Sequence, residues 1–175
     1  MKSVNVSIKG SSPLLMHRFP LEPVEAIDKK PRDEQAELAS YRAADGVLFI
    51  PGVNIQRAFV SAATYSKGKG RSTLQKQAAA CLLVSPEVVT LGQKTFEIDS
   101  RPVVMPATKG RVLRHRPRLD QWECSFALEW DETLLREEEV RRIVDDAGSR
   151  VGLLDFRPEK KGPFGRFMVT SWKAS

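Results

Sequence analysis

The stretch QWECSFALEW, residues 121–130, is the strongest secondary-structure signal in the chain. Its large apolar residues occupy every second position, and polar residues fill most of the positions between them. A period of two is typical of a strand with one buried face. The apolar side of this predicted strand consists of Trp122, Cys124, Phe126, Leu128 and Trp130. Helices or a second sheet must therefore cover that face.

The segments around this strand predict further strands and two amphipathic helices. Val4, Val6 and Ile8 alternate with polar residues and predict a first strand. An amphipathic helix is predicted where apolar residues recur at i, i+3, i+4 and i+7, namely at Ile55, Ala58, Phe59 and Ala62. A second such helix follows residue 130, with an apolar stripe of Val140, Ile143, Val144 and Ala147 and with Gly148 as its predicted end. RFMVTSW, residues 166–172, predicts the last strand.

The remaining elements are shorter. Residues 31–43 predict a helix opened by Pro31, and residues 72–83 predict another. Residues 46–52 predict a buried strand closed by a Pro-Gly turn, and a further strand follows Pro86 over residues 87–91. Residues 92–118 are interpreted as short strands and loops.

Without two insertions, at about 11–50 and 92–118, the order of elements is strand, helix, strand, strand, helix, strand. This order is that of the split βαβ pattern. We therefore expect an α+β protein, a ferredoxin-like (RRM-like) βαββαβ sandwich. A single domain over residues 1–175 would carry the two insertions as projections.

Composition narrows the class of protein. Hydrophobic residues make up 41% of the chain, but no apolar run approaches the roughly 20 residues of a membrane span. The first ten residues alternate in polarity and lack the apolar block of a signal peptide. Cys81 and Cys124 lie far apart and form no CxxC pair. We expect a soluble cytoplasmic protein without a membrane partner.

Positive charge is concentrated in two stretches of a chain whose net charge is +6. In TKGRVLRHRPR, residues 108–118, the cations are Lys109, Arg111, Arg114, Arg116 and Arg118, with His115 between them. Such dense like charges repel one another unless an anion binds, and arginine suits phosphate contacts. A merely solvated basic loop is the alternative.

The second basic stretch is SKGKGR, residues 66–71, with Lys67, Lys69 and Arg71. It does not fit the Walker pattern, because no serine or threonine follows a Gly-Lys pair directly. Nucleotide hydrolysis is therefore excluded. A flexible loop that contacts a nucleic-acid backbone and a disordered helix junction remain equally open.

The stretch GLLDFRPEKKGPFGRF, residues 152–167, combines glycines, arginines and phenylalanines. Glycines allow a ligand backbone to approach closely, phenylalanine rings stack on bases, and arginines bind phosphates. This combination predicts nucleic-acid contacts from Arg157, Lys160, Lys161, Gly162, Phe164, Gly165 and Arg166, with stacking also from Phe156 or His115. The alternative is an ordinary loop whose aromatic residues close the core.

Evidence for catalysis is weaker. His17 and His115 are the only histidines, and neither has a metal ligand at the spacing of a zinc site. His17 could act as a general base, although a histidine beside Arg18 is more often a contact residue. No metal and no cofactor is predicted, and no pair of aspartates is recognisable as a magnesium site.

Three stretches resemble the RAMP superfamily, which includes the backbone subunits of CRISPR effector complexes. VSIKGSSPLLMHR resembles its first strand and loop, VLFIPGVNIQRAFVSAA its Pro-Gly turn and first core helix, and VGLLDFRPEKKGPFGRF its terminal glycine-rich loop. The whole chain also resembles small uncharacterised proteins of tailed phages. The RAMP resemblance implies a ferredoxin-like fold, polymerisation along a single-stranded guide RNA, and a projecting hairpin. It also implies RNA contacts at His17, Arg18, Asn54, Gln56, Arg57, Gly162, Gly165 and Arg166. The sequence departs from the family where Val53–Arg57 replaces the usual Ser-Ser-x-Lys-Gly.

These observations favour a non-catalytic protein that binds single-stranded nucleic acid, with RNA preferred over DNA. The partner would be the strand itself together with further copies of the chain, as a homo-oligomer or filament. Two alternatives stay open: an endoribonuclease of the same fold that uses His17, and a structural or assembly protein that binds no nucleic acid.

Overall fold

The computed structural model describes residues 1–175 in full. Its strands are β1 (Lys2–Gly10), β2 (Leu14–Leu15), β3 (Phe49–Pro51), β4 (Leu83–Ser85), β5 (Val88–Thr90), β6 (Glu97–Val104), β7 (Arg111–Leu119), β8 (Glu123–Trp130) and β9 (Phe167–Ala174). Its α-helices are α1 (Val24–Asp28), α2 (Arg32–Leu38), α3 (Gly52–Ala62), α4 (Gln75–Cys81) and α5 (Glu137–Asp146). None of these helices has both the length and the apolar character of a membrane span.

The main sheet has four strands in the order β4-β8-β1-β9, and every neighbouring pair is antiparallel. The predicted apolar side of β8 is buried, as is the apolar side of β1 at Val4, Val6 and Ile8. Helices α3 and α5 contact each other and carry buried apolar residues that join the same core. The α+β prediction is therefore confirmed, and the arrangement is compatible with a ferredoxin-like sandwich.

The second insertion forms a long hairpin, so the prediction of short strands and loops over residues 92–118 was wrong. Strands β6 and β7 pair from Glu97 opposite Arg118 to Val104 opposite Arg111, and β2 extends this sheet on the other side of β7. Alternation was hard to recognise because four arginines and one proline occupy most positions of β7. Helix α2 of the first insertion packs against β7, so the two insertions support each other.

One predicted strand of the sandwich does not join the main sheet. The strand predicted over residues 87–91 corresponds to β5, which pairs with β3 in a separate two-stranded sheet. The edge strand beside β8 is instead β4, which begins at Leu83, the last residue of a predicted helix. In β4, Val84 pairs with Leu128 and is buried in the core. Packing against the core therefore makes this segment a strand, although the predicted helix extends to its first residue.

Gly148 does not end the last helix, in contrast to the prediction. After α5 the chain continues through a π-helical turn, Ala147–Val151, and leaves it at Gly152, whose φ is +76°. A Cβ atom on Gly148 would lie 2.2 Å from the Phe167 carbonyl oxygen. Gly148 therefore allows β9 to approach the helix, and Gly152 turns the chain into the terminal loop.

Phe59 and Val53 on α3 provide a test of this core. Phe59 is fully buried and its ring lies 5.9 Å from that of Phe126, whereas Val53 is 49% exposed. We expect Phe59→Ala to lower the free energy of unfolding by about 3–5 kcal/mol. Val53→Ala, the control on the same helix, should change it by less than about 0.5 kcal/mol. Urea unfolding measures both, and equal losses would contradict the assigned face of α3.

Candidate nucleic-acid interface

The terminal loop, residues 152–166, is held against residues 11–15 by backbone hydrogen bonds. The Gly165 amide donates to the Pro13 carbonyl at 2.8 Å, and the Asp155 amide donates to the Leu15 carbonyl at 3.0 Å. Within the loop, the Leu153 amide donates to the Gly165 carbonyl at 2.9 Å. The two segments singled out in the sequence are thus one structural unit.

Close packing of the loop on itself accounts for two of its glycines. A Cβ atom on Gly162 would lie 1.8 Å from the Phe156 carbonyl oxygen, and one on Gly165 would lie 2.1 Å from the Leu153 carbonyl oxygen. Both glycines are buried. Space for a ligand backbone, the reason inferred from the sequence, is not needed to explain either of them.

The aromatic rings of the loop are covered by arginines of the hairpin. Phe164 is 4% exposed, and its ring centroid lies 6.0 Å from that of Phe156. The Arg101 guanidinium lies 4.9 Å from the Phe164 ring centroid and 5.4 Å from that of Phe156. Arg118 lies 5.7 Å from the Phe164 ring. Phe164 therefore packs the loop onto the hairpin and presents no free face for stacking, in contrast to the sequence prediction.

The basic run of β7 is largely neutralised within the protein. Arg114 pairs with Asp28 and Arg116 with Asp155, while the Arg118 Nε lies 2.6 Å from the Asp120 carboxylate. The repulsion expected within this run is therefore relieved by carboxylates of the protein itself, which are distant in sequence or follow the run. Arg111 and Lys109, near the hairpin tip, are exposed and have no such partner.

Asp99 on β6 anchors the base of the hairpin. Its carboxylate accepts two hydrogen bonds from Arg101, at 2.6 and 2.7 Å, and its side chain is 7% exposed. The bond from Arg101 lowers the pKa of Asp99, burial opposes this, and Arg116 and Arg118 add to the lowering. Asp99 is therefore an ionised structural partner for arginines.

Arg116 links the hairpin to the terminal loop. The residue is 6% exposed and its guanidinium donates to Asp155. A buried charge of this kind requires its partner, so the contact fixes the loop against β7. Asp99, Asp120 and Asp155 each bind an arginine. No group of three or more histidine, cysteine, aspartate or glutamate side chains is arranged to hold a metal ion.

A polar cleft of about 260 Å³ opens between the start of α3, the terminal loop and the segment after β2. Helix α3 contributes one face, on which Asn54, Arg57 and Ser61 are three to seven residues apart. His17 and Tyr41 line another side. The terminal loop contributes Gly152, Leu154, Asp155, Arg157 and Glu159. The cleft therefore joins all three segments on which the resemblance rests.

The charged side chains of the cleft differ in whether they have a partner within the protein. Arg157 pairs with Glu159 at 2.7 Å and donates to the Leu154 carbonyl at 2.8 Å, and Asp155 is bound by Arg116. The Arg57 side chain is exposed and makes no hydrogen bond or ion pair within the chain. Partial desolvation lowers the pKa of His17, Arg116 and Arg114 lower it further, and Asp155 opposes them. Near neutral pH the cleft thus presents a neutral imidazole and a free guanidinium.

The other predicted contact residues lie around this cleft or away from it. Arg18 is exposed beside His17, and Lys160 and Lys161 are exposed on the 3₁₀ turn of the terminal loop. Arg166 is exposed, and its guanidinium donates to the Ser149 carbonyl. None of these four residues lines the cleft itself, and the same holds for Gln56, Lys67, Lys69, Arg71, Lys109, Arg111 and His115. The His115 Nδ1 is hydrogen-bonded to the Ser100 hydroxyl at 2.7 Å.

Among the residues that line the cleft, sequence reasoning named His17, Asn54, Arg57 and Arg157 as contacts and missed the others. Ser61 could have been found, because it lies four residues after Arg57 on the same face of the predicted helix. Glu159 could not be distinguished from a solvated charge. Tyr41 comes from the first insertion, and no sequence signal indicated that this insertion folds back to α3.

These features define an α+β protein whose antiparallel sheet is covered by two helices and whose terminal loop borders a polar cleft. A similar fold occurs in a chain of the cryo-EM structure of the Type III-B Cmr-beta bound to cognate target RNA, with a TM-score of 0.60 and 11% sequence identity. The similarity covers 99% of this chain and 60% of the other, so this chain spans little more than half of that protein's length. Identity this low shows the fold alone, and it is consistent with a RAMP-like fold. No protein-family model and no curated protein matches the chain.

Gly165 and Gly70 test the packing of the terminal loop. Both have positive φ, +77° and +65°, but only Gly165 is crowded, since a Cβ atom on Gly70 would meet nothing within 4 Å. We expect Gly70→Ala to cost about 1 kcal/mol for its backbone conformation. Gly165→Ala should cost at least about 3 kcal/mol, because the Leu153 carbonyl must also move. Urea unfolding of both variants measures the difference, and equal costs would contradict the described loop.

Proposed function

We propose that this protein is a non-catalytic, single-strand RNA-binding protein of the RAMP type, with a ferredoxin-like (RRM-like) domain. The observation that carries the proposal is the cleft in which His17, the start of α3 and the terminal loop meet. The fold similarity to a chain of an RNA-bound Cmr-beta complex supports the same interpretation.

The distribution of free cations favours the cleft, and not the arginine-rich base of the β6–β7 hairpin, as the site of RNA binding. Arg57 lines the cleft without a counter-ion, and Arg18, Lys160 and Lys161 are exposed on the segments that border it. The arginines of β7 nearest to the core already bind carboxylates. Binding is favourable when free cations of the protein replace the counterions condensed on the phosphates of a nucleic acid. The RNA strand should therefore lie along the unpaired cations of the cleft and its border, and not along the arginines of β7.

The open face of the main sheet is a poor alternative site. RRM domains stack bases on aromatic residues of this face. Here the exposed positions of β1 and β8 carry Asn5, Lys9, Glu123 and Ser125, without an aromatic ring among them. This chain would therefore bind RNA beside the sheet and not on it.

Assembly along the strand is the second part of the proposal. The hairpin extends from the body of the protein, and Val104 and Leu113 near its tip are 58% and 52% exposed. Exposed apolar side chains on a projecting hairpin suit contact with an adjacent copy of the chain. Side-by-side copies would place their clefts along one strand.

Binding of labelled single-stranded RNA, followed by fluorescence anisotropy at two salt concentrations, tests the proposal. We expect Arg57→Ala to weaken binding about tenfold, because it removes a charge-assisted contact. The slope of log affinity against log salt should fall by about 0.7, as expected for one lost phosphate contact on a single strand. Light scattering of the same samples should show assemblies that grow with RNA length.

Lys173→Ala is the matched control, since Lys173 is an exposed cation on β9, opposite Asn5 on the open sheet face. It should leave the affinity within about twofold and lower the slope little. A larger loss with Lys173→Ala than with Arg57→Ala would place the strand on the sheet. Absence of binding to RNA and DNA would favour the structural or assembly alternative.

The position of His17 makes cleavage a separate question. Its lowered pKa leaves a neutral imidazole in the cleft at pH 7, which is the form a general base requires. For a non-catalytic protein we expect end-labelled RNA to remain intact after prolonged incubation with and without a chelator. Shortened products that disappear with His17→Ala would establish the endoribonuclease alternative instead.

A further inference from the structure

Phe19 is the one aromatic residue whose ring has no partner within the protein. The chain contains eight phenylalanines, three tryptophans and two tyrosines. Every other ring lies within 6.5 Å of a second ring or of an arginine guanidinium, measured to the ring centroid. Phe19 has neither contact and is 82% exposed. Packing of this fold therefore does not explain the ring.

Phe19 follows directly on the residues of the candidate interface. His17 lines the cleft, Arg18 comes next, and Phe19 is the third residue of the same loop. An exposed ring beside a free guanidinium is the combination that binds single strands, in which the cation meets a phosphate and the ring stacks on a base. Stacking tolerates any sequence, since every base has a flat face.

The surface between the cleft and Phe19 is a continuous series of depressions. His17 lines both the cleft and a neighbouring pocket of about 80 Å³. Arg18, Pro20, Ile27 and Leu38 line this pocket and also the next one, of about 230 Å³, to which Phe19 contributes. A strand that occupies the cleft can thus continue past His17 and Arg18 to Phe19.

The last of these pockets is lined by two cations, Arg18 and Arg42, and by two anions, Glu22 and Glu37. Glu37 pairs with Arg42 at 2.5 Å, and Glu22 lies 3.6 Å from the Lys30 ammonium. Arg18 has no ion pair among the contacts of this loop. Lys30 also pairs with Glu34 at 2.7 Å, so the charges around Phe19 do not sum to a positive surface. The unpaired Arg18 guanidinium is nevertheless available for a phosphate beside a stacked base.

We propose that the ring of Phe19 stacks on a base of the same single strand that lies in the cleft, so that the interface extends across the loop after β2. This inference rests on the proposed function. It adds a stacking residue at one end of the track and makes the interface longer than the cleft alone.

Phe19→Leu is the decisive variant, because it keeps an apolar side chain but removes the flat ring. We expect it to weaken the binding of labelled single-stranded RNA about 5- to 50-fold, as one lost stacking contact does. The unfolding midpoint in urea should not change, since the ring contacts little. Tyr65→Leu is the control: Tyr65 is 51% exposed, but its ring is capped by Arg150 at 4.8 Å and lies outside the track.

RNAs with one abasic nucleotide, placed at successive positions, separate stacking from other effects. One abasic position should weaken binding to the unaltered protein as much as Phe19→Leu does, and should have no further effect on that variant. Equal affinities of Phe19→Leu and the unaltered protein would overturn the inference and point to a protein partner for this loop. If Arg57→Ala weakens binding in that case, the proposed function stands without Phe19; if no RNA binds at all, the proposed function itself fails.

Discussion

The contact between the terminal loop and residues 11–15 is the constraint on which the rest of this structure depends. Backbone hydrogen bonds from Gly165 to Pro13 and from Asp155 to Leu15 join the two ends of the chain beside the main sheet. These bonds form only because Gly162 and Gly165 leave room for neighbouring carbonyls. With the loop in place, Asp155 meets the buried guanidinium of Arg116, and the hairpin is fixed to the body of the protein.

Ion pairing within the chain then decides which surface is available to a polyanion. The densest basic run is mostly used for structure, since its arginines bind aspartates and one of them, Arg118, also covers the ring of Phe164. Isolated cations such as Arg57 and Arg18 remain free. A net charge of +6 is therefore consistent with a polyanionic partner but does not locate it, because what matters is the charge left after internal pairing.

The sequence predicted the elements with clear periodicity and missed those governed by distant contacts. Strands β1 and β8 and the buried face of α3 follow directly from alternating and helical patterns, because each has one apolar face. The family resemblance implied a projecting hairpin, but the two long strands of residues 97–119 escaped prediction because arginines that are ion-paired in the fold do not look like a half-buried strand. At the site, Arg57 and His17 were predicted from the motif resemblance. Tyr41 could not be predicted, because it reaches the cleft only when the first insertion is folded. The burial of Phe164 could not be foreseen, because the covering Arg101 is 63 residues earlier in the chain.

Ultraviolet cross-linking of uniformly labelled single-stranded RNA to the intact protein, with the cross-linked positions mapped by mass spectrometry, tests the central claim most directly. The account predicts cross-links in residues 17–20, 54–61 and 152–161, which surround the cleft and its continuation. Cross-links concentrated on the open sheet face, at Asn5, Ser125 or Lys173, would contradict it, because the strand would then lie across the sheet and the cleft would have another use.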